Sequence, residues 1–183
     1  MKTILLASSL SLALAACAAD DGAMMAGDQP TIYPKAAMGE MPTDAQGYVQ
    51  MAGASDLYEI ESSRLALQQS QDTDVRQFAQ MMIDQHNRTT QTVMQAARAA
   101  GLTPAPPQLM PMQQEMMAEL RAQSSAAFDQ TYISQQRRAH DMALSLHSTY
   151  AQGGDTAELR QAAETAVPII EMHIQRLQQM PAT

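Results

Sequence analysis

Glu59, His86, His140 and His173 stand in or beside the apolar seams of a chain that is otherwise built to bury small and aliphatic side chains. A neutral imidazole offers a lone pair to a metal ion, and a carboxylate offers a charged oxygen. Groups of this kind, projecting inward from different helices, are how bundles make metal sites. His86 follows Val75, Ala79 and Met82 and precedes Thr89 and Val93, in steps of three and four. His173 does the same between Leu159, Ala163, Ala166 and Ile170 on one side and Leu177 and Met180 on the other. That spacing puts each set on one face of a helix. His140 lies beside the seam of Phe128, Tyr132, Gln135, Ala139, Ala143, Leu146 and Tyr150, on a face shared with Asp129, Ile133, Leu144 and His147. Glu59 shares a less regular face with Tyr48, Ala52, Ser55, Ser62 and Ala66.

Distance along the helices decides which of these groups can meet. Glu59 and His86 each lie about 13 residues from the turn between their helices, or about 20 Å along the axis, so they share a level. His140 falls near the middle of its helix. His173 lies about 6 residues past the middle of its own, a displacement of about 9 Å. The expectation is that Glu59, His86 and His140 converge and that His173 has a different partner.

Two metal chemistries are testable against spacing. A di-iron bundle carries Glu-x-x-His on two helices, which places both ligands on one face. Here Asp84-Gln85-His86 and Glu171-Met172-His173 have a spacing of two, which turns the pair apart by about 200° around the helix. A ferritin-type oxidase centre is therefore disfavoured, whereas a single Zn, Cu or Fe ion on three ligands is admissible. The competing reading is that the histidines satisfy one another and their neighbours inside the core, with no metal at all; the balance of the sequence favours it. Methionines pose a separate question. Met110, Met112, Met116 and Met117 gather thioethers that suit Cu(I), but Met also fills irregular helical cores. No Met-x-x-Met series interleaved with His turns that group into a copper motif.

The elements that must position these residues are helices. Of 183 residues, 45% are apolar, 4% are aromatic, 16 are methionine and none is tryptophan. Ala, Gln, Glu, Leu, Met and Arg dominate, all good helix formers. The pattern predicts long helices over about 44–70, 74–100, 124–153 and 155–180, with a short one over about 112–122. Asp72 or Thr73 is available to cap the second, and Gly101 to end it. Pro104, Pro106, Pro107 and Pro111 break the chain between the second and third long helices. Asp155-Thr156-Ala157-Glu158 has the spacing of a capping box, and Pro168 should kink the last helix. The fold class is all-α, an antiparallel four-helix bundle with an extra short helix in the second connection.

Ahead of the bundle, Lys2 and the apolar run from Ile4 to Ala16 lead to Leu14-Ala15-Ala16-Cys17, which holds the one cysteine. The run is too short for a membrane span, which needs about 20 apolar residues. It reads as a lipoprotein signal peptide over 1–16, with Cys17 as the lipidation site and the membrane as the partner reached through that lipid. Ala18, in place of Asp, favours delivery to the bacterial outer membrane, facing the periplasm. Residues 17–44 read as a flexible tether, broken by Gly22, Gly27, Pro30, Pro34, Gly39 and Pro42. Its methionines Met24, Met25, Met38 and Met41 lack a partner face. The bundle domain then spans 45–181. A net charge of −8 argues against nucleic acid as a partner. There is no nucleophile elbow, phosphate loop or catalytic triad, so enzyme chemistry has no support in the sequence.

The stretch Tyr58-Glu59-Ile60-Glu61-Ser62-Ser63-Arg64-Leu65-Ala66, and the later Val75-Arg76-Gln77-Phe78-Ala79-Gln80-Met81-Met82-Ile83-Asp84-Gln85-His86, resemble a bacterial family known as domain of unknown function 4142. Phe128-Asp129-x-x-Tyr132, His140, and Pro168 followed by His173 extend the resemblance over about 48–177. Ser124-Ser125 depart from it, where a glycine often precedes the Phe-Asp pair. The resemblance implies a ferritin-like four-helix bundle exported from bacteria. It also implies functional positions at Glu59, His86, His140 and His173, accompanied by Asp84 and Asp129. It carries no activity with it, because a fold does not bring a function. Two readings follow: a lipid-anchored envelope protein with a binding or stress-related structural role, and a periplasmic metal-binding protein. A metal-dependent oxidoreductase is a weaker third.

Overall fold

The computed structural model describes residues 40–180. The expected signal peptide, Cys17 and most of the tether lie outside the described residues. Five helices account for the described chain: α1 (Ala45–Gln69), α2 (Thr73–Ala99), α3 (Pro111–Ala122), α4 (Ser125–Gly153) and α5 (Ala157–Gln179).

Local chemistry sets the boundaries. Asp44 caps α1 by accepting from the Gly47 N–H at 2.8 Å, and Asp72 caps α2 by accepting from Asp74 and Val75. At the far end of α2, Gly101 adopts φ +80°. Its N–H bonds the Arg98 carbonyl while that of Leu102 bonds the Ala97 carbonyl, a Schellman motif that only glycine enters without strain. Pro111 opens α3 at a position where its missing N–H is harmless.

One local expectation fails at α5. The box at Asp155 does not form: Thr156 is the N-cap without a side-chain bond, and Asp155 instead accepts from the hydroxyls of Tyr150 and Thr156. Asp155 thus ties α4 to the start of α5. Between them, Gly154 passes so near the Tyr150 ring that a Cβ would collide with it. The helix runs through Pro168, which faces solvent.

Four long helices pack in a ring, with α1 against α2 and α4, and α5 against α2 and α4. Short turns make α1–α2 and α4–α5 antiparallel hairpins. Between α1 and α4, the bonds Tyr48–His147, Tyr58–Gln135 and Ser63–Tyr132 run in opposite sequence directions, so those neighbours are antiparallel too. The amphipathic seams of α2, α4 and α5 are buried along their whole length, as their spacing predicts. Helix α1 is less regular because α3 packs against it as a fifth element and Pro107 lies against Gly53. It is buried on more than one side, so Val49, Ala54, Tyr58 and Ser63 join the expected face while Ser55 stays half-exposed. Met116 and Met117 are buried in that packing, whereas Met110 and Met112 are only partly buried.

The core has layers. One apolar cluster, with Tyr48, Val93, Leu146, Tyr150 and Leu159, fills the end near the α4–α5 turn. Another, with Phe78, Met82, Leu120, Phe128, Tyr132 and Leu177, fills the opposite end. Between them lies a buried polar layer that holds Asp56, Glu59, Ser62, His86, Gln136, His140 and His173.

Candidate metal centre

Three histidines from three helices meet in the polar layer. His86 (α2), His140 (α4) and His173 (α5) each present one ring nitrogen to a common point, and the three atoms lie within 4.8 Å of one another. Ring centroids are 5.6 Å apart for His86–His140, 5.3 Å for His86–His173 and 5.2 Å for His140–His173. All three are buried.

Oxygen acceptors hold the outer nitrogens. His86 Nδ1 bonds the Asp56 carboxylate at 2.8 Å, and that carboxylate also accepts from Thr89 and Thr90. His140 Nδ1 bonds the backbone carbonyl of Gln136 at 2.8 Å. His173 Nε2 bonds Gln85 Oε1 at 2.7 Å. Carboxylate and carbonyl oxygens only accept, so each of these nitrogens carries the hydrogen. In a neutral ring the other nitrogen is then a lone pair, and the inner nitrogens of all three rings point toward one another. His86 Nε2 is buried without a hydrogen-bond partner. His140 Nε2 and His173 Nδ1 face each other at 3.1 Å.

Electrostatics keeps two of the rings neutral. Burial, then the neighbouring His86 and His173, hold His140 well below the ordinary imidazole range. Burial and His86 push His173 down to about 3. Burial also works against a charge on His86, but its bond to Asp56 and the carboxylates around it win, and its pKa is raised. Hydrogen-bonded outer nitrogens and neutral inner ones are what a transition metal asks of histidine ligands.

The placement corrects two sequence expectations. His173 belongs to the cluster. Levels within a hairpin are counted from the shared turn at residues 154–156, from which His140 and His173 lie about 14 and about 17 residues away. The offset is about 4.5 Å, not the larger value obtained from helix midpoints. Glu59 stands behind the cluster, with its Oε1 3.5 Å from His140 Nδ1, the nitrogen turned away from His173. Both of its oxygens are buried without hydrogen-bond partners, and burial pushes its carboxyl up to about 7 against the pull of His86.

Neither accompanying aspartate supports the cluster. Asp84 is exposed and accepts from Gln80 on its own helix. Asp129 is half-buried near the start of α4, about 16 Å along the axis from His140. The supporting carboxylate is Asp56, which adjoins the seam position Ser55 and so stands off the expected stripe. Its signal was the three-residue spacing to Glu59, which puts both carboxylates on one side of α1. The fourth histidine, His147, is also buried, but it bonds the Tyr48 hydroxyl at 2.9 Å and burial takes it down to about 4.

The sequence model of one protein family matches residues 31–180, most of the chain. The chain belongs to the family described as Domain of unknown function (DUF4142). No curated protein matches it. Solved structures similar to this DUF4142 chain are those of a protein named CopM. Its Cu(II)-bound form aligns with TM-score 0.62 at 16% identity, covering 74% of this chain and 94% of that one. Its Cu(I)-bound form gives TM-score 0.62 at 18% identity, and its Ag-bound form 0.61 at 17%, each covering 74% of this chain and 93% of that one. At such identities the likeness is one of fold.

Proposed function

We propose that this protein binds a single transition-metal ion, copper by preference, between His86 Nε2, His140 Nε2 and His173 Nδ1. The observation that carries the reading is the pair of lone pairs facing each other at 3.1 Å, with the buried and unpartnered His86 nitrogen beside them. Two lone pairs repel unless a cation lies between them. A proton would serve, but the depressed basicity of His140 and His173 disfavours it. A metal cation satisfies all three nitrogens at once. Purely structural histidines would account for the outer hydrogen bonds and leave the inner face unexplained.

Imidazole suits Zn, Cu and Fe alike. Copper is preferred because similar bundles are known in copper- and silver-bound forms. The ring order, with both hairpins antiparallel and one long crossing connection from α2 to α4, supports the finer description of a ferritin-like bundle. The Glu-x-x-His pairs of a di-iron centre are lacking, so binding rather than oxidation is the proposed role. Through Cys17 and its lipid, the site would work at the periplasmic face of the bacterial outer membrane.

The test is elemental analysis of the chain purified without a His-tag, with thermal unfolding in Cu, Zn, Fe or EDTA. A native-state ligand at 100 times its Kd adds about 2.7 kcal/mol and raises Tm accordingly. Absence of bound metal together with an unchanged Tm in every ion would remove the proposal.

A further inference from the structure

The three histidines differ in what stands behind them. The outer partners of His86 and His140 are deep in the core, since Asp56 and Gln136 are both buried. The partner of His173 is Gln85, whose side chain is half-exposed on the α2 edge that faces α5. Among these three partners, only Gln85 reaches solvent.

Thioethers flank it. Met81 lies one turn before Gln85 on the same edge of α2, partly buried against the apolar cluster of Phe78, Phe128 and Tyr132. On α5, Met172 adjoins His173 and is the one large apolar side chain exposed among the described residues, at 43%. Arg176, one turn beyond Met172, reaches across to Asp74 on α2. Met172 therefore lies on the α5 edge that faces α2, at the level where Gln85 meets His173. A single exposed methionine is ordinary on a protein surface, but a thioether is also a soft ligand for monovalent coinage-metal ions.

We infer that Met172 and Met81 form a transient docking site for a soft monovalent cation at the mouth between α2 and α5, from which the ion passes to His173 as Gln85 swings aside. This rests on the metal-binding reading of the histidine cluster and adds a route and an oxidation state to it. Flexible thioethers hold Cu(I) loosely enough to release it, and imidazoles fixed by their outer bonds receive it.

The experiment is stopped-flow uptake of Ag(I), a redox-inert stand-in for Cu(I), by the full chain and by its Met81→Leu/Met172→Leu variant. Leu conserves volume, so the fold should persist, as circular dichroism melting would verify. The inference predicts Ag(I) association about tenfold slower at unchanged equilibrium affinity, with uptake of Zn(II), a poor thioether partner, unaltered. Gln85→Ala should speed both uptake and release. Equal Ag(I) rates in the folded variant and the parent would overturn the route while leaving the histidine site standing. Failure of the parent chain to bind Ag(I) or Cu(I) at all would remove both.

Discussion

His140 Nε2 and His173 Nδ1 face each other across 3.1 Å from adjacent antiparallel helices, each with its other nitrogen bonded to an oxygen. The contact is a property of three helices at once, because His86 closes the cluster from α2 with a buried, unpartnered nitrogen. Apolar clusters above and below bury the layer, which strengthens every charge inside it.

Asp56 fixes the tautomer and orientation of His86, so its charge should matter to a metal it never touches. Asp56→Asn keeps one oxygen acceptor, for His86, but removes the negative charge and the second oxygen that Thr89 and Thr90 bond. We expect copper affinity to fall by about 10–100-fold, measured by competition with a chromophoric chelator. Unchanged affinity would mean that Asp56 serves the fold alone.

Glu59 gives a stability signature with the opposite sign to that of the usual paired carboxylate. Its carboxyl is raised from 4.5 to about 7 by burial. The folded state thus favours the neutral form, and this contribution is complete below the ordinary value and lost as pH rises through 7. Glu59→Gln removes the loss. Relative to the parent, the variant should gain on the order of 3 kcal/mol between the two pKa values, read from urea unfolding across pH. A difference that does not vary with pH would contradict the assignment.

Proton release should accompany metal binding and come from one histidine. His140 and His173 are neutral at physiological pH, while His86 has a raised pKa. Below that raised value, each bound ion must displace about one proton. Affinity should fall with decreasing pH through the titration of His86, with a slope of about one proton per ion in calorimetry across buffers. A slope of two or three would show that the other rings are protonated as well.

The helices and their buried seams were legible in the sequence because each seam repeats at the helical period and each end carries a cap or breaker: Asp44, Asp72, Gly101, the prolines near residue 106, and Gly154. The composition of the site was legible only in part. His86, His140 and His173 all stand in or near seams, but which of them meet depends on how helices register across a turn, and periodicity within one helix does not encode that. Asp56 escaped notice for a related reason. On a helix buried on more than one side, the burial pattern ceases to be a single stripe, and a carboxylate just off the stripe looks like a solvent-facing residue.

His147 supplies a control within the same core. It is buried like the other three, yet its bond to Tyr48 faces the apolar end and not the cluster. His147→Gln should leave copper affinity unaltered and lower stability by about 1–2 kcal/mol, the effect of disturbing one buried hydrogen bond. Loss of metal binding in this variant would mean that the site extends further along α4 than the three nitrogens.

X-ray absorption at the copper edge of the Cu(I)-loaded chain tests the central claim most directly. Three imidazole nitrogens at about 2.0 Å and no sulfur in the first shell are predicted, with one ion per chain. A first shell dominated by sulfur at about 2.3 Å, or a chain that retains no copper, would contradict it.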